Sequence, residues 1–112
     1  MVVDTGERRT VDRLFHALSD GTRRDIVVRT LQGEHSVSAL ARLYPMSFAA
    51  VQKHVAVLHE AGLVGKRRRG REQLVSGDVE ALRRAAAVLD ALEDVWRARV
   101  ERMGALLEEE DS

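Results

Sequence analysis

The chain has 112 residues and a mass of 12.5 kDa, no cysteine, and 18 Lys+Arg against 18 Asp+Glu. That length sets a limit of one domain, and the missing thiols remove disulfides, thiolate metal sites, cysteine nucleophiles and thiol redox switches together. No apolar run approaches the roughly 18–20 residues of a membrane span and no signal-peptide core follows Met1, so no membrane partner is expected and a cytoplasmic address is consistent.

Residues 1–10 are polar and are expected to form a flexible N-terminus. From Val11 the apolar residues Val11, Leu14, Phe15 and Leu18 fall at helical spacing, opening a single domain over residues 11–107. Ser19-Asp20-Gly21 interrupts this helix and offers a cap to the next, Thr22–Gln32, which carries Ile26, Val27, Thr30 and Leu31 on one side. Gly33 is its stop. Ser36 caps a short helix, Val37–Tyr44, lined by Val37, Leu40, Ala41 and Tyr44, and Pro45 ends it by disfavouring α geometry at Tyr44. After the turn Pro45-Met46-Ser47, Ser47 caps a second helix over Phe48–Ala61 with the buried stripe Val51, Val55 and Leu58, closed by Gly62. Leu63–Arg69 and Arg71–Val75, separated by Gly70, read as a two-stranded hairpin. Asp78 then opens a long helix. Its residues Val79, Leu82, Ala86, Leu89, Leu92, Trp96, Val100, Met103 and Leu107 step by an average of 3.5, the heptad period. Residues 108–112 are left as an acidic tail.

The zero net charge hides two opposed halves. Residues 1–77 hold 13 Lys+Arg and 8 Asp+Glu, whereas residues 78–112 hold 5 and 10. Within the first half, Lys66, Arg67, Arg68, Arg69 and Arg71 crowd around Gly70. A neutral total is therefore no argument against a polyanionic partner, because patches decide.

A short helix, a three-residue turn and a longer capped helix make a helix-turn-helix pattern. By spacing alone an ordinary αα-corner fits equally well. What sharpens the reading is the face of the second helix, where Ala49, Gln52, Lys53 and Ala56 are small or polar beside the buried stripe. Ser47 also leaves backbone N–H groups at a helix start, where a phosphate can sit, and a cationic hairpin follows directly. The expected fold is mainly α (α+β): a winged helix-turn-helix, with the motif at about residues 36–61, the wing at 63–75 and a long C-terminal helix at 78–107. Such a fold places one helix in the major groove of double-stranded DNA and a basic loop beside it.

The stretches LFHALSDGTRRDIVVRTLQGEHSVSALA, MSFAAVQKHVAVLHEAGLV and KRRRGREQLV resemble the ArsR/SmtB-type winged-helix transcriptional repressors. The likeness covers residues 11–77 and puts a C-terminal helix in the expected place. It implies a symmetric homodimer joined through the first and last helices, with Leu14, Leu89, Trp96 and Val100 at its interface. It also implies repression of a promoter, often the protein's own, by occlusion of polymerase. The chain departs from the family at its metal sites. Where one site type has cysteines, this sequence has Ser36-Val37-Ser38. Where another draws on Asp, His and Glu of the last helix, residues 78–112 hold no histidine, and no local set of about four ligands gathers around His16, His35, His54 or His59. The expectation is a member with no metal and no cofactor at those positions, and no motif names an effector. Gln73 stands where the family often has an aromatic in the second wing strand.

Gln52 and Lys53 are the expected base-edge contacts, since Gln pairs bidentately with adenine and Lys with guanine. Phe48 and Ala49 lie at the helix start, where Phe48 either meets a thymine methyl or packs on the turn. His54 supports the helix or reaches a phosphate, and Ser47 is first a cap and second a phosphate ligand. Side chains alternate along a strand, so about two of Arg67, Arg68, Arg69 and Arg71 can reach DNA from one subunit. Arg23 and Arg24 either touch phosphates or are solvated. A winged helix used for protein–protein contact is the alternative, and a MarR-type regulator would be longer before the motif. No nucleophile–base pair, phosphate-cradling loop or cofactor motif points to an enzyme.

Overall fold

Five helices and a small sheet follow one another as α1 (Thr5–Leu18), α2 (Gly21–Gln32), β1 (His35–Ser36), α3 (Val37–Ala41), α4 (Phe48–Glu60), β2 (Val64–Arg69), β3 (Glu72–Gly77) and α5 (Val79–Asp111). The computed structural model describes residues 5–111, with side chains for 6–110. Helix α1 starts six residues before its apolar spacing does. Residues 5–10, expected to be flexible, form its first turns, with Glu7 at the positive end of the helix dipole and Thr10 Oγ1 donating to the Gly6 carbonyl at 3.0 Å. Residues 1–4 of that expected segment lie outside the described residues.

The α1–α2 corner is closed by polar contacts. The Asp20 carboxylate caps α2 by accepting from the Arg23 N–H at 3.0 Å, and this bond above all holds its pKa below the usual carboxylate value. Arg23 Nε and Nη2 donate to the Ala17 and His16 carbonyls at 2.8 and 3.1 Å, and Arg24 Nη1 donates to the Leu18 carbonyl at 2.8 Å. Both guanidiniums thus satisfy the orphan carbonyls at the end of α1. Neither of the two roles expected for them from sequence, phosphate contact or plain solvation, describes that arrangement.

The core gathers Leu14 and Ala17 of α1, Ile26 and Val27 of α2, Leu40 of α3, Val51, Val55 and Leu58 of α4, Leu63, Val75 of β3, and Ala81 and Ala85 of α5. Leu31, expected on the inner side of α2, is 41% exposed. Leu14 is a further correction. It is fully buried within its own protomer, so a neighbouring chain cannot reach it, and its place in the expected dimer interface is not available.

Helix α3 ends three residues before the expected Tyr44. The Leu43 N–H turns to the Leu40 carbonyl at 3.0 Å, tightening the last turn. Tyr44 swings out to donate its hydroxyl to Asp25 Oδ2 of α2. Arg29 donates to the same oxygen at 2.8 Å and lies over the Tyr44 ring. Burial first, then the Asp25 hydrogen bond, pushes the Tyr44 phenol up to about 12, while the Tyr44 and Arg29 bonds hold Asp25 low. A raised phenol pKa stabilises the fold below the ordinary value near 10 and loses that contribution as pH climbs toward 12. This is the chain's one tyrosine, so its phenolate absorbance is unambiguous. The native midpoint is expected near 12, falling to about 10 in denaturant, and Asp25→Asn should lower the native midpoint. A native midpoint at the denatured value would sink the assignment.

The sheet runs in the order β1-β3-β2, antiparallel throughout. The sequence reading had two strands. The third, β1, is two residues long and pairs His35 with Val75 and Ser36 with Leu74. Strands β2 and β3 form the wing, in register from Val64↔Gly77 to Arg69↔Glu72. Gly70 turns the wing with φ of 62°, and Gly62 leaves α4 with φ of 79°; both are left-handed positions that glycine occupies without strain.

Helix α5 is held at its start. The Asp78 N–H donates to the Leu63 carbonyl at 2.9 Å, and Ala81 and Ala85 are buried in the part of the helix that packs on α1. From Leu89 every described side chain of the helix is exposed. A helix of 33 residues is about 50 Å long, and the molecule measures 73 × 30 × 21 Å. Its radius of gyration is 19.7 Å, against about 13 Å for a compact chain of this size. The acidic residues 108–111, expected as a separate tail, continue the helix; Ser112 lies outside the described residues.

Candidate nucleic-acid interface

Helix α4 is fixed from three sides and open on the fourth. Ser47 Oγ accepts from the Ala50 N–H at 3.1 Å, which sets where the helix begins. Val51, Val55 and Leu58 are buried and lock its rotation. The remaining face presents Phe48, Ala49, Gln52 and Lys53 to solvent. Phe48 is 47% exposed, so it is not buried on the turn, one of the two places expected for it. Side chains on so firmly held a helix reach a partner with little orientation left to fix.

His54 turns partly inward. Its Nδ1 lies 3.3 Å from Arg23 Nη1. A guanidinium can only donate, so while the contact holds Nδ1 is the acceptor and the ring proton sits on Nε2. His54 is thereby tied, through Arg23, to the end of α1. Of the two roles expected for it, supporting the helix is the one this geometry matches.

The wing divides its cations by parity. Lys66 and Arg68 share one face of the ribbon and Arg67 and Arg69 the other. Arg68, Arg69 and Arg71 are exposed, and Lys66 is half-buried. Arg67 is also exposed but differs from them in having a carboxylate partner within the chain. Its Nε donates to Glu34 Oε2 at 2.8 Å and its Nη2 to Oε1 at 2.7 Å. That two-pronged bond keeps the Glu34 carboxyl below its usual range. Glu34 precedes β1, which lies beside β3, so the strand missed in the sequence is also the element that brings this acid to the wing. The one available signal was that Glu34 is the only carboxylate among residues 26–59.

On α5 the core takes Ala85 rather than the expected Ala86, which is exposed, and the apolar stripe continues outward through Leu89, Leu92, Trp96, Val100, Met103 and Leu107. Leu89, Trp96 and Val100 are 55%, 60% and 47% exposed. Ion pairs Arg83–Glu80 and Arg97–Glu93 run along the helix surface. A cleft of about 130 Å³ between α1 and α4 is lined by Arg13, His16, Val57, Glu60 and Ala61. Among the described residues no three His, Asp or Glu side chains gather where they could hold a metal ion, and no helix is long and apolar enough to cross a membrane.

No family model matches the chain. It is 37% identical over 102 residues to the HTH-type transcriptional regulator Rv2034 of Mycobacterium tuberculosis, covering 91% of this chain and 92% of that one. Among solved structures it is similar to an ArsR-like transcriptional regulator from Rhodococcus sp. RHA1, with a TM-score of 0.83, 29% identity and coverage of 96% and 98% of the two chains. It is also similar to the homodimeric winged helix-turn-helix DNA-binding domain of Mb0332 from Mycobacterium bovis, a possible ArsR-family regulator. There the TM-score is 0.65 at 26% identity, covering 84% of this chain and 92% of that one.

Proposed function

The chain belongs to the ArsR family of winged helix-turn-helix transcriptional regulators, and from that premise we propose that it is a homodimeric repressor of a palindromic operator. The observation that carries this reading is the open face of α4, with Gln52 and Lys53 exposed on a helix whose start and rotation are both fixed. A dimer would set two such helices in successive major grooves, about 34–36 Å apart. Gln52 and Lys53 would then meet base edges, while about two of the exposed wing arginines, drawn from Arg68, Arg69 and Arg71, meet the phosphate backbone. Phe48 and Ala49 stand at the leading end, and Ser47 leaves further N–H groups of the first turn free for a phosphate.

The dimer would form on the exposed α5 stripe. Parallel pairing would lay the Glu108-Glu109-Glu110 ends of the two chains side by side, whereas antiparallel pairing parts them, so charge favours the antiparallel arrangement. Metal control through the family's usual positions is not part of the proposal. Ser36 already has a structural task there, accepting from the Ala39 N–H at 3.0 Å, and α5 carries no histidine.

Gln52→Ala tests the reading. It is expected to cost roughly 1–3 kcal/mol on the specific site and to relax base preference at one position of each half-site, with the fold unchanged. Fluorescence anisotropy against the DNA upstream of the protein's own gene, with base-substituted competitors, measures both. Unchanged affinity and unchanged preference would remove α4 as the reading helix.

A further inference from the structure

Against the wing lies an acid that a DNA-binding surface does not need. Phosphate contacts are made by cations, and each carboxylate near them weakens the field a phosphate meets. Glu34 is nonetheless held against the cationic strand β2, at 2.7 and 2.8 Å from Arg67, and Arg69 also acts on its charge. The Glu34 side chain is 32% exposed and that of Arg67 58%, so the pair lies at the surface of the cationic ribbon. The bond is bidentate, the geometry in which a guanidinium recognises a carboxylate or a phosphate equally well. Glu34 therefore occupies, beside the wing, a position on Arg67 that a DNA phosphate could take.

We propose that Glu34 withholds Arg67 from the phosphate backbone and so sets the wing's sequence-independent affinity. This rests on the DNA-binding reading above. Glu34 takes the Nε and one Nη2 donor of Arg67, and the three N–H donors left over belong to an ion pair with no net charge, so a phosphate that meets them gains little. The contacts of Gln52 and Lys53 with base edges are untouched by this pairing. The wing would then act through Arg68, Arg69 and Arg71, and a regulator that must find one operator among many competing sites binds the rest of the DNA less tightly.

The test uses the full chain and a duplex of random sequence, titrated by anisotropy over a range of salt. Glu34→Gln is expected to tighten binding about tenfold near 50 mM salt and to steepen the log–log salt slope by about 0.9 per subunit, one released counterion each. Arg67→Ala should weaken binding much less in the wild-type background, where the residue is held by Glu34, than in the Glu34→Gln background, where it is free. That non-additivity assigns the gain of Glu34→Gln to a freed Arg67, because removal of a negative charge by itself would leave the Arg67→Ala loss equal in both backgrounds. Three results would overturn the proposal: no gain in Glu34→Gln, a gain that survives in the double variant, or an Arg67→Ala loss that is the same in both backgrounds. Wild-type protein that binds no duplex in a salt-dependent way is a separate outcome, and it removes the DNA-binding reading itself.

Discussion

Trp96→Asp is expected to give a folded monomer whose affinity for a two-half-site operator falls by a factor of about 10²–10⁴, the range over which linking two binding modules raises avidity. Trp96 is 60% exposed and lies beyond the part of α5 that enters the core, so the protomer does not depend on it. In a dimer the same side chain would sit within the apolar stripe, with Leu92 and Val100 as neighbours along the helix. An aspartate there would place an unpaired charge in an apolar interface, which is among the most disruptive changes a contact can suffer. Sedimentation at equilibrium reads the assembly, circular dichroism the fold, and anisotropy the operator. A variant that stays dimeric, or a monomer that keeps full operator affinity, contradicts the arrangement.

Leu58→Ala is expected to cost about 2–5 kcal/mol of folding stability, the range for truncating a buried leucine when the cavity cannot collapse. Leu58 is fully buried, and its carbonyl accepts from the Leu63 N–H at 2.9 Å, joining α4 to the segment that starts the wing. Strands on one side and helices on the other leave little freedom to close the void. The contrast with Gln52→Ala is the useful part: two residues of one helix, one governing whether the helix is held and the other what it touches. Chemical unfolding at matched protein concentration, needed because assembly feeds into apparent stability, should separate them. A loss below about 1 kcal/mol for Leu58→Ala would mean that the core relaxes around the site.

What could be read from the sequence was local. Helix α4 lies close to the span expected of it because its cap, its stripe and its stop all sit within one short segment. The apolar stripe of α5 was equally visible, since a period needs only its own element. The departures came from partners distant along the chain. Tyr44 leaves α3 for Asp25, 19 residues away, and no helix signal records that. Arg67 is captured by Glu34 across a gap of 33 residues, through a strand too short to show alternation. Leu14 lies in the core because α2, α4 and α5 close over α1, which its spacing within α1 does not tell apart from a face left for a neighbour. The first turns of α1 carry no apolar repeat and were passed over for that reason. Their helicity draws on the helix formers Glu7, Arg8 and Arg9 and a favourable end charge rather than on burial.

Helix α5 is both an inner wall and a rigid arm. It leaves the core after the half-buried Val88 and runs without a break to Asp111. Its inner and outer parts are therefore set in angular phase, like two gears on one shaft. A residue added between Val88 and Leu89 would turn the outer stripe by about 100° and advance it by about 1.5 Å relative to the body, whereas seven would bring it back to within about 20°. The aim of one protomer's reading helix relative to the other's would then be an integer property of chain length, inherited from how many residues lie between the last turn in the core and the first turn outside it.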